Sequence, residues 1–391
     1  MKIDSVDFFY LSMPEVKDIG DGSQDALLVR VRAGAHTGWG ECEAAPLPSI
    51  AALVCPMSHS ACKSVQDSVL GQPLNDAADI ARIGVRVREN SLDLLQADHT
   101  LSGIDIAMWD LLGHKFETPV YKLLGYPRAY QKTPYASQLF GGVPQETFAK
   151  ARKTRELGYS AAKFGWGPFG RGTAERDAEH LLAAREGLGA DGVLLVDAGT
   201  IWGSNLDRAR QTLPALQRVR AAWLEEPFVS GALTEYAQLA AACPDVKLAG
   251  GEGCHNFHMA VHMIEHARIG YVQVDTGRIG GITTAKAVAD VAVKHGVTYV
   301  NHTFTSHLAL SASLQPFAGI ESHTICEYPV ESSSLAANLT HEQIVRDKNG
   351  EIRVPETPGL GVTPNLDTVR QYLVDTEIKV AGKIVYRTPQ L

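Results

Sequence analysis

The chain lacks an excess of positive charge, paired cysteine motifs and long apolar runs, and each absence narrows the possibilities. Lysine and arginine number 36 against 44 aspartates and glutamates, for a formal net charge of −8. No basic face is therefore on offer to nucleic acid or to an anionic membrane surface. The six cysteines (Cys42, Cys55, Cys62, Cys243, Cys254, Cys326) are scattered without a C-x-x-C pair. That spacing fits reduced thiols in a cytoplasm better than a disulfide framework. No uncharged stretch is long enough for an export signal or a membrane span. No G-x-G-x-x-G follows an early strand, so an open doubly wound nucleotide-binding sheet has no support. Tandem repeats and low-complexity segments are also missing.

What is present is a 391-residue chain, 45% hydrophobic and 20% charged, which predicts a soluble protein of two domains, one of them large. The first third reads as α+β. "KIDSVDFFYLSM" and "DALLVRVRAG…TGWGE" have strand periodicity, and "LSGIDIAMWDLLGHKF" repeats apolar residues at helical steps. Pro127 and Pro134 flank a connection, which places an N-terminal capping domain at 1–130.

From there the texture alternates. Strand-like segments stand at "PYASQL", "SAAKF", "VLLVDA", "AAWLEE", "VKLAG", "YVQVD", "TYVNH" and "HTICEY", with helical stretches between them, among them 175–188, 206–220, 282–295 and 306–318. Eight strands separated by seven helices predict an α/β fold, a modified TIM barrel of (β/α)7β type, over 131–330. The tail, 331–391, holds strand-like pieces ("EIRVPE", "EIKVAGKIVYR") and is expected to return to the capping domain.

In such barrels the chemistry sits where strands end. Those ends carry Lys163, Asp197, Glu225 with Glu226, Glu252, Asp275, His302 and Glu327. A single loop charge facing water needs no explanation, but a set at equivalent positions does. Asp197, Glu225 and Glu252 on consecutive strands converge as oxygen ligands, a set that suits Mg²⁺ better than zinc. Without a cation, three converging carboxylates repel one another. Asp275 and His302 lie on adjacent strands, where the carboxylate orients the imidazole and raises its basicity. A cation, a positioned histidine and a nearby lysine are the equipment for removing a proton next to a carboxylate and stabilising the enediolate.

The chain resembles the enolase superfamily, mandelate racemase subgroup, over nearly its whole length. The matching pieces are "GWGE", "LSGIDIAMWDLLGHK", the lysine strand, "VDAG", "WLEEP", "AGGE", "VDTGRIGGI", "NHTF", the Glu327 strand and "PGLGV". The resemblance implies a capping α+β domain over the barrel, with Mg²⁺ held by Asp197, Glu225 and Glu252. It also implies a His302–Asp275 dyad, Glu327 hydrogen-bonding the substrate carboxylate, and Glu226 behind the ligand Glu225. Two departures stand out. The usual strand pattern ends Lys-x-Lys, whereas this chain has Lys163 and then Gly165. Many members also carry Asn two residues after the first ligand, where this chain has Gly199. With the second lysine missing, Lys163 is expected to neutralise charge while His302 acts as base and then as acid. A single base favours dehydration of an acid sugar (aldonate or aldarate) over racemisation or epimerisation, with cycloisomerisation of a sugar-acid lactone as the alternative. Barrel enzymes of this kind often form homo-oligomers.

Other features point elsewhere. "HMIEH" within "CHNFHMAVHMIEHA" fits an H-x-x-E-H zinc-peptidase pattern, with His258, His262 and His266 on one helical face. It falls, however, on what the barrel makes an outer helix. Trp166 and Phe169 are candidate walls of a substrate pocket, whereas Cys254 reads as a packed thiol. Glu41 and Glu43 follow a cap strand and could face the substrate, although a solvated charge is the favoured reading, and His36, His59, His99 and His114 read as surface or cap residues. The loop at 16–26 falls where cap loops touch substrate in similar proteins. A non-catalytic barrel has only the missing lysine in its favour.

Overall fold

The computed structural model describes residues 1–43 and 45–391. β1 (Ile3–Ser12), β2 (Asp25–Ala33) and β3 (His36–Cys42) pair antiparallel in that order. Helices α1 (Pro46–Val54) and α4 (Ala97–Lys115) pack on the sheet, and α2 (Val65–Val69), α3 (Ala77–Asn90) and α5 (Val120–Leu123) pack against α4. The glycines of "GWGE" are there for close approach. A Cβ on Gly38 would lie 2.1 Å from Ala107 O, and one on Gly40 2.2 Å from Gly103 O. Backbone thus packs on backbone, and α4 is almost wholly buried. Its far side meets the barrel, where Asp105 Oδ1 accepts from Thr283 N at 3.0 Å and Trp109 Nε1 donates to Thr283 Oγ1 at 2.9 Å.

Eight parallel strands with seven intervening helices follow. They are β4 (Thr133–Leu139), α6 (Pro144–Glu156), β5 (Ala161–Gly165), α7 (Ala174–Leu188), β6 (Val193–Asp197), α8 (Leu206–Arg218), β7 (Ala221–Glu225) and α9 (Leu233–Ala242). The series continues with β8 (Lys247–Gly250), α10 (Phe257–His266), β9 (Tyr271–Asp275), α11 (Gly281–His295), β10 (Thr298–His302), α12 (His307–Leu314) and β11 (Ile325–Pro329). The ladder runs from β10 down to β4 and then to β11. At the seam between β10 and β11 a side chain substitutes for the missing ladder. Asn301 Oδ1 accepts from Glu327 N at 2.9 Å, and its Nδ2 donates to Glu327 O at 3.3 Å. The fold is the expected barrel with a separate antiparallel cap.

The interior is filled, not hollow. Tyr135, Ala161, Leu195, Trp223, Ala249 and Val300 form one buried layer, with the Tyr135 and Trp223 rings edge to face at 5.4 Å. Side chains alternate along a strand, so residues two further on also face the axis, one layer nearer the mouth. Lys163, Asp197, Glu225 and His302 stand two residues beyond Ala161, Leu195, Trp223 and Val300.

After the barrel come α13 (Ser334–Asn338), α14 (Leu366–Tyr372) and a hairpin of β12 (Glu377–Val380) and β13 (Lys383–Arg387). The hairpin region lies against β1, where Tyr386 Oη donates to Phe8 O at 2.7 Å and Val374 N to Tyr10 O at 2.8 Å. Two sequence expectations need correction. "EIRVPE" forms no strand, only an isolated bridge between Ile352 and Lys132. The helix expected over 306–318 ends at Leu314 and tightens into a 3-10 turn at Gln315–Phe317, where Pro316 has no N–H to continue it. Among the described residues no helix is long and apolar enough to cross a membrane.

Candidate active site

The strand ends open into a cavity of about 340 Å³, within the range that holds small ligands. Lys163, Asp197, Glu252, Arg278, His302 and Glu327 line it from the barrel, and Ile19 to Gly22 close it from the cap. Lys163 is buried and sits among carboxylates: Nζ is 2.6 Å from Glu225 Oε1, 2.8 Å from Glu327 Oε1 and 3.7 Å from Asp197 Oδ2. Burial works against its charge, but Glu225 and Glu327 overcome that and hold the ammonium well above its ordinary pKa.

The carboxylates are fixed in turn. Asp197 Oδ1 accepts from Gly199 N at 2.7 Å, and Glu225 Oε2 from Trp223 Nε1 at 3.2 Å. Burial raises Asp197 to about 6, with Lys163 opposing and Glu252 adding to the rise. Burial likewise pushes Glu225 well up.

His302 joins two acids. Its Nδ1 is 2.9 Å from Asp275 Oδ2 and its Nε2 3.0 Å from Glu252 Oε2. Burial disfavours the imidazolium, yet Glu252, Glu327 and Asp275 together raise its pKa well above normal. Burial also pushes Glu252 up, but the His302 charge and hydrogen bond reverse this and leave it low. The ring therefore reads as an imidazolium bonded at both nitrogens.

Arg278 was not singled out from the sequence and belongs to this group. Its Nε lies 3.1 Å from Asp275 Oδ2 and an Nη 3.5 Å from Glu252 Oε1. A cation three residues past Asp275, in the turn that closes its strand, was the available signal.

The remaining expected residues divide. Trp166 reaches the cavity in a left-handed conformation (φ +56°) and is 41% exposed. Glycines on two loops make room for its indole: a Cβ on Gly20 or Gly199 would come within 3.0 Å of it. Gly199, which stands where Asn is usual, is thus required by the tryptophan. Glu226 is buried and absent from the cavity lining; its Oε1 accepts from Gly253 N at 3.3 Å. Burial and Glu252 raise it to about 8. Phe169 is buried and stacks on Phe140 at 5.0 Å, away from the lining. Glu41 and Glu43, read as solvated, are both buried because the barrel loops cover the cap edge. His99 lies at the cap–barrel seam, 2.8 Å from His255 Nδ1.

Gly165 is tightly enclosed. A Cβ there would lie 2.8 Å from Asp197 Oδ2 and 2.9 Å from Asp197 Cβ. The aspartate has taken the space where a second lysine would begin.

Among the described residues no group of three or more His, Cys, Asp or Glu side chains is arranged to hold a metal ion. Lys163 and His302 engage the carboxylates instead. The donor set still fits a hard divalent ion in kind. It offers oxygen only, from carboxylates at the ends of three neighbouring strands, with Asp197 and Glu225 buried. The "HMIEH" histidines lie on α10 in the outer layer, His266 60% exposed, and form no such group either.

Comparison with known proteins agrees with the geometry. Residues 146–368 match the Enolase C-terminal domain-like family, and residues 19–125 the mandelate racemase / muconate lactonizing enzyme N-terminal domain. An L-talarate/galactarate dehydratase of Salmonella typhimurium is 30% identical over 77% of this chain and 72% of its own length. A D-galactarolactone cycloisomerase of Agrobacterium fabrum is 26% identical over 86% and 87%. A crystal structure of a "predicted Mandelate racemase" from Rhodobacter sphaeroides superposes with a TM-score of 0.95 at 59% identity, covering 100% of both chains. The chain belongs to the enolase superfamily, in its mandelate racemase subgroup.

Proposed function

We propose that this member of the superfamily removes the proton α to the carboxylate of an acid sugar, an aldonate or aldarate, and expels the β-hydroxyl as water. The observation that carries this reading is the single base. His302 is oriented by Asp275 at 2.9 Å, while the position for a second lysine is Gly165, closed off by Asp197. Racemisation needs a proton donor on the opposite face, whereas elimination needs one imidazole that takes the α-proton and then delivers it to the departing hydroxyl.

In this reading Lys163 neutralises the substrate carboxylate and the enediolate charge, and Glu327 hydrogen-bonds that carboxylate. Asp275 and Arg278 keep the imidazole aimed. For His302 to accept a proton its Nε2 must be released from Glu252. Asp197, Glu225 and Glu252 would hold Mg²⁺, which when bound supplies positive charge that acidifies the α-proton.

Relatives named as dehydratases and as cycloisomerases of sugar acids and their lactones support an acid-sugar substrate for this chain. Cycloisomerisation of a lactone is therefore the second reading; it shares the proton abstraction and differs in the leaving group. The test is solvent deuterium exchange at the substrate α-carbon, with Mg²⁺, across aldonates, aldarates and their lactones. His302→Asn should lower exchange by about 10²- to 10⁴-fold, the worth of a general base, with Mg²⁺ binding retained. Exchange at the wild-type rate would remove His302 from the role.

A further inference from the structure

The two loops that carry the dyad are both tied to a single residue of the N-terminal domain. Glu43 follows β3 and is only 5% exposed. Its Oε1 accepts from Thr303 Oγ1 at 2.9 Å and its Oε2 from Phe304 N at 3.2 Å. Thr303 and Phe304 directly follow His302. The backbone of Glu43 engages the other loop. Its N–H donates to Gly277 O at 3.1 Å, and its carbonyl accepts from Arg278 Nε at 2.7 Å. Gly277 and Arg278 follow Asp275, and Arg278 Nε also stands 3.1 Å from Asp275 Oδ2.

The contact is close enough to constrain the sequence. A Cβ on Gly277 would lie 2.6 Å from Glu43 N. The two loops also lean on each other across the clamp. Arg278 lies over the Phe304 ring at 5.1 Å, and that ring is 5.2 Å from His302. Thr303 reaches further still, its N–H donating to Glu327 Oε2 at 2.9 Å. One side chain and its own peptide groups therefore set the spacing between Asp275 and His302, and indirectly the orientation of Glu327.

We infer that Glu43 is a positioning residue for the His302–Asp275 pair, through which the N-terminal domain holds the two dyad loops in register. It touches no reacting atom. The inference rests on the reading of His302 as the base, and a small tilt of that imidazole is costly because proton transfer requires hydrogen-bond reach. Glutamine retains the clamp, since its oxygen accepts from the Phe304 N–H while its amide donates to the Thr303 hydroxyl. Alanine removes both bonds.

The experiment compares wild type, Glu43→Gln and Glu43→Ala by hydrogen exchange and by kinetics on the acid sugar that wild type turns over fastest. Glu43→Ala should raise exchange at least tenfold in 302–305, where only the side chain holds the loop, with 275–278, held by the Glu43 backbone that alanine keeps, and β1 to β3 unchanged. Its kcat should fall at least tenfold with KM within threefold, while Glu43→Gln stays within threefold of wild type in both. Unchanged exchange in Glu43→Ala would overturn the clamp. Loosened loops with unaltered kcat would make Glu43 merely structural, and a glutamine variant as impaired as alanine would make its charge the operative feature; either overturns the inference. If wild type processes no acid sugar, the functional reading fails separately, and the exchange arm still decides whether Glu43 fixes the loops.

Discussion

Replacing Lys163 with methionine keeps the length of the side chain and removes the one ammonium buried among Glu225, Glu327 and Asp197. Its contacts at 2.6 and 2.8 Å each represent about 6 kcal/mol of gross attraction at an effective dielectric of about 20. Much of that is offset by the cost of dehydrating the ions. Removing one partner of a buried pair, however, leaves the other anions uncompensated, at a net cost of about 3–5 kcal/mol. Lys163→Met should therefore lose about that much stability in urea unfolding at pH 7 without divalent ions. The pH dependence has a definite sign. Asp197 already titrates near 6 and Glu225 is raised well above its ordinary value, with Lys163 pulling both down. Without the lysine their folded pKa values rise further, so the folded variant binds more protons than the unfolded chain. Its stability then increases as pH falls from 7 to 5, and the gap to wild type narrows. Mg²⁺ at a hundredfold excess over its Kd should return about 2.7 kcal/mol. A loss under about 1 kcal/mol at pH 7, or a gap equal at pH 5 and 7, would refute a lysine that balances ionised carboxylates.

Two further perturbations follow from particular contacts. Gly165→Lys should not create a racemase, because its Cβ falls 2.8 Å from Asp197 Oδ2. The expected result is weaker Mg²⁺ binding by calorimetry and no racemisation by polarimetry. Lys132 is buried with Nζ on two carbonyl oxygens, Ile320 O at 2.8 Å and His323 O at 2.7 Å, and burial lowers its pKa to about 8. Its contribution to stability is full above the unfolded pKa near 10.5 and is lost as pH falls through 8. Wild type should thus gain on Lys132→Met by up to about 3 kcal/mol between pH 7 and pH 10.5 in denaturant unfolding.

Much of the barrel and the polar set at its mouth follows from local pattern. Strand and helix periodicities are written within ten or fifteen residues. A residue two beyond an interior position must face the axis, whichever protein it is in. Lys163, Asp197, Glu225 and His302 were legible for that reason, as was the shortage of a second lysine at Gly165. What local pattern does not encode is how loops from distant parts of the chain meet. Glu43 and Thr303 are 260 residues apart, so Glu43 looked like a surface charge until the cap closed over the barrel. Glu226 is adjacent in sequence to Glu225 but points to Gly253, behind the cavity. The glycines at 165 and 199 were visible as departures. Their reason, an aspartate and an indole occupying the space of a side chain, depends on approach distances of about 3 Å that only packing sets. Sequence alone determined which chemistry stands at each strand end, because alternation along a strand is a local rule. The tertiary structure decided which of those groups meet and which residue holds them, because hydrogen bonding across a domain boundary has no local signature.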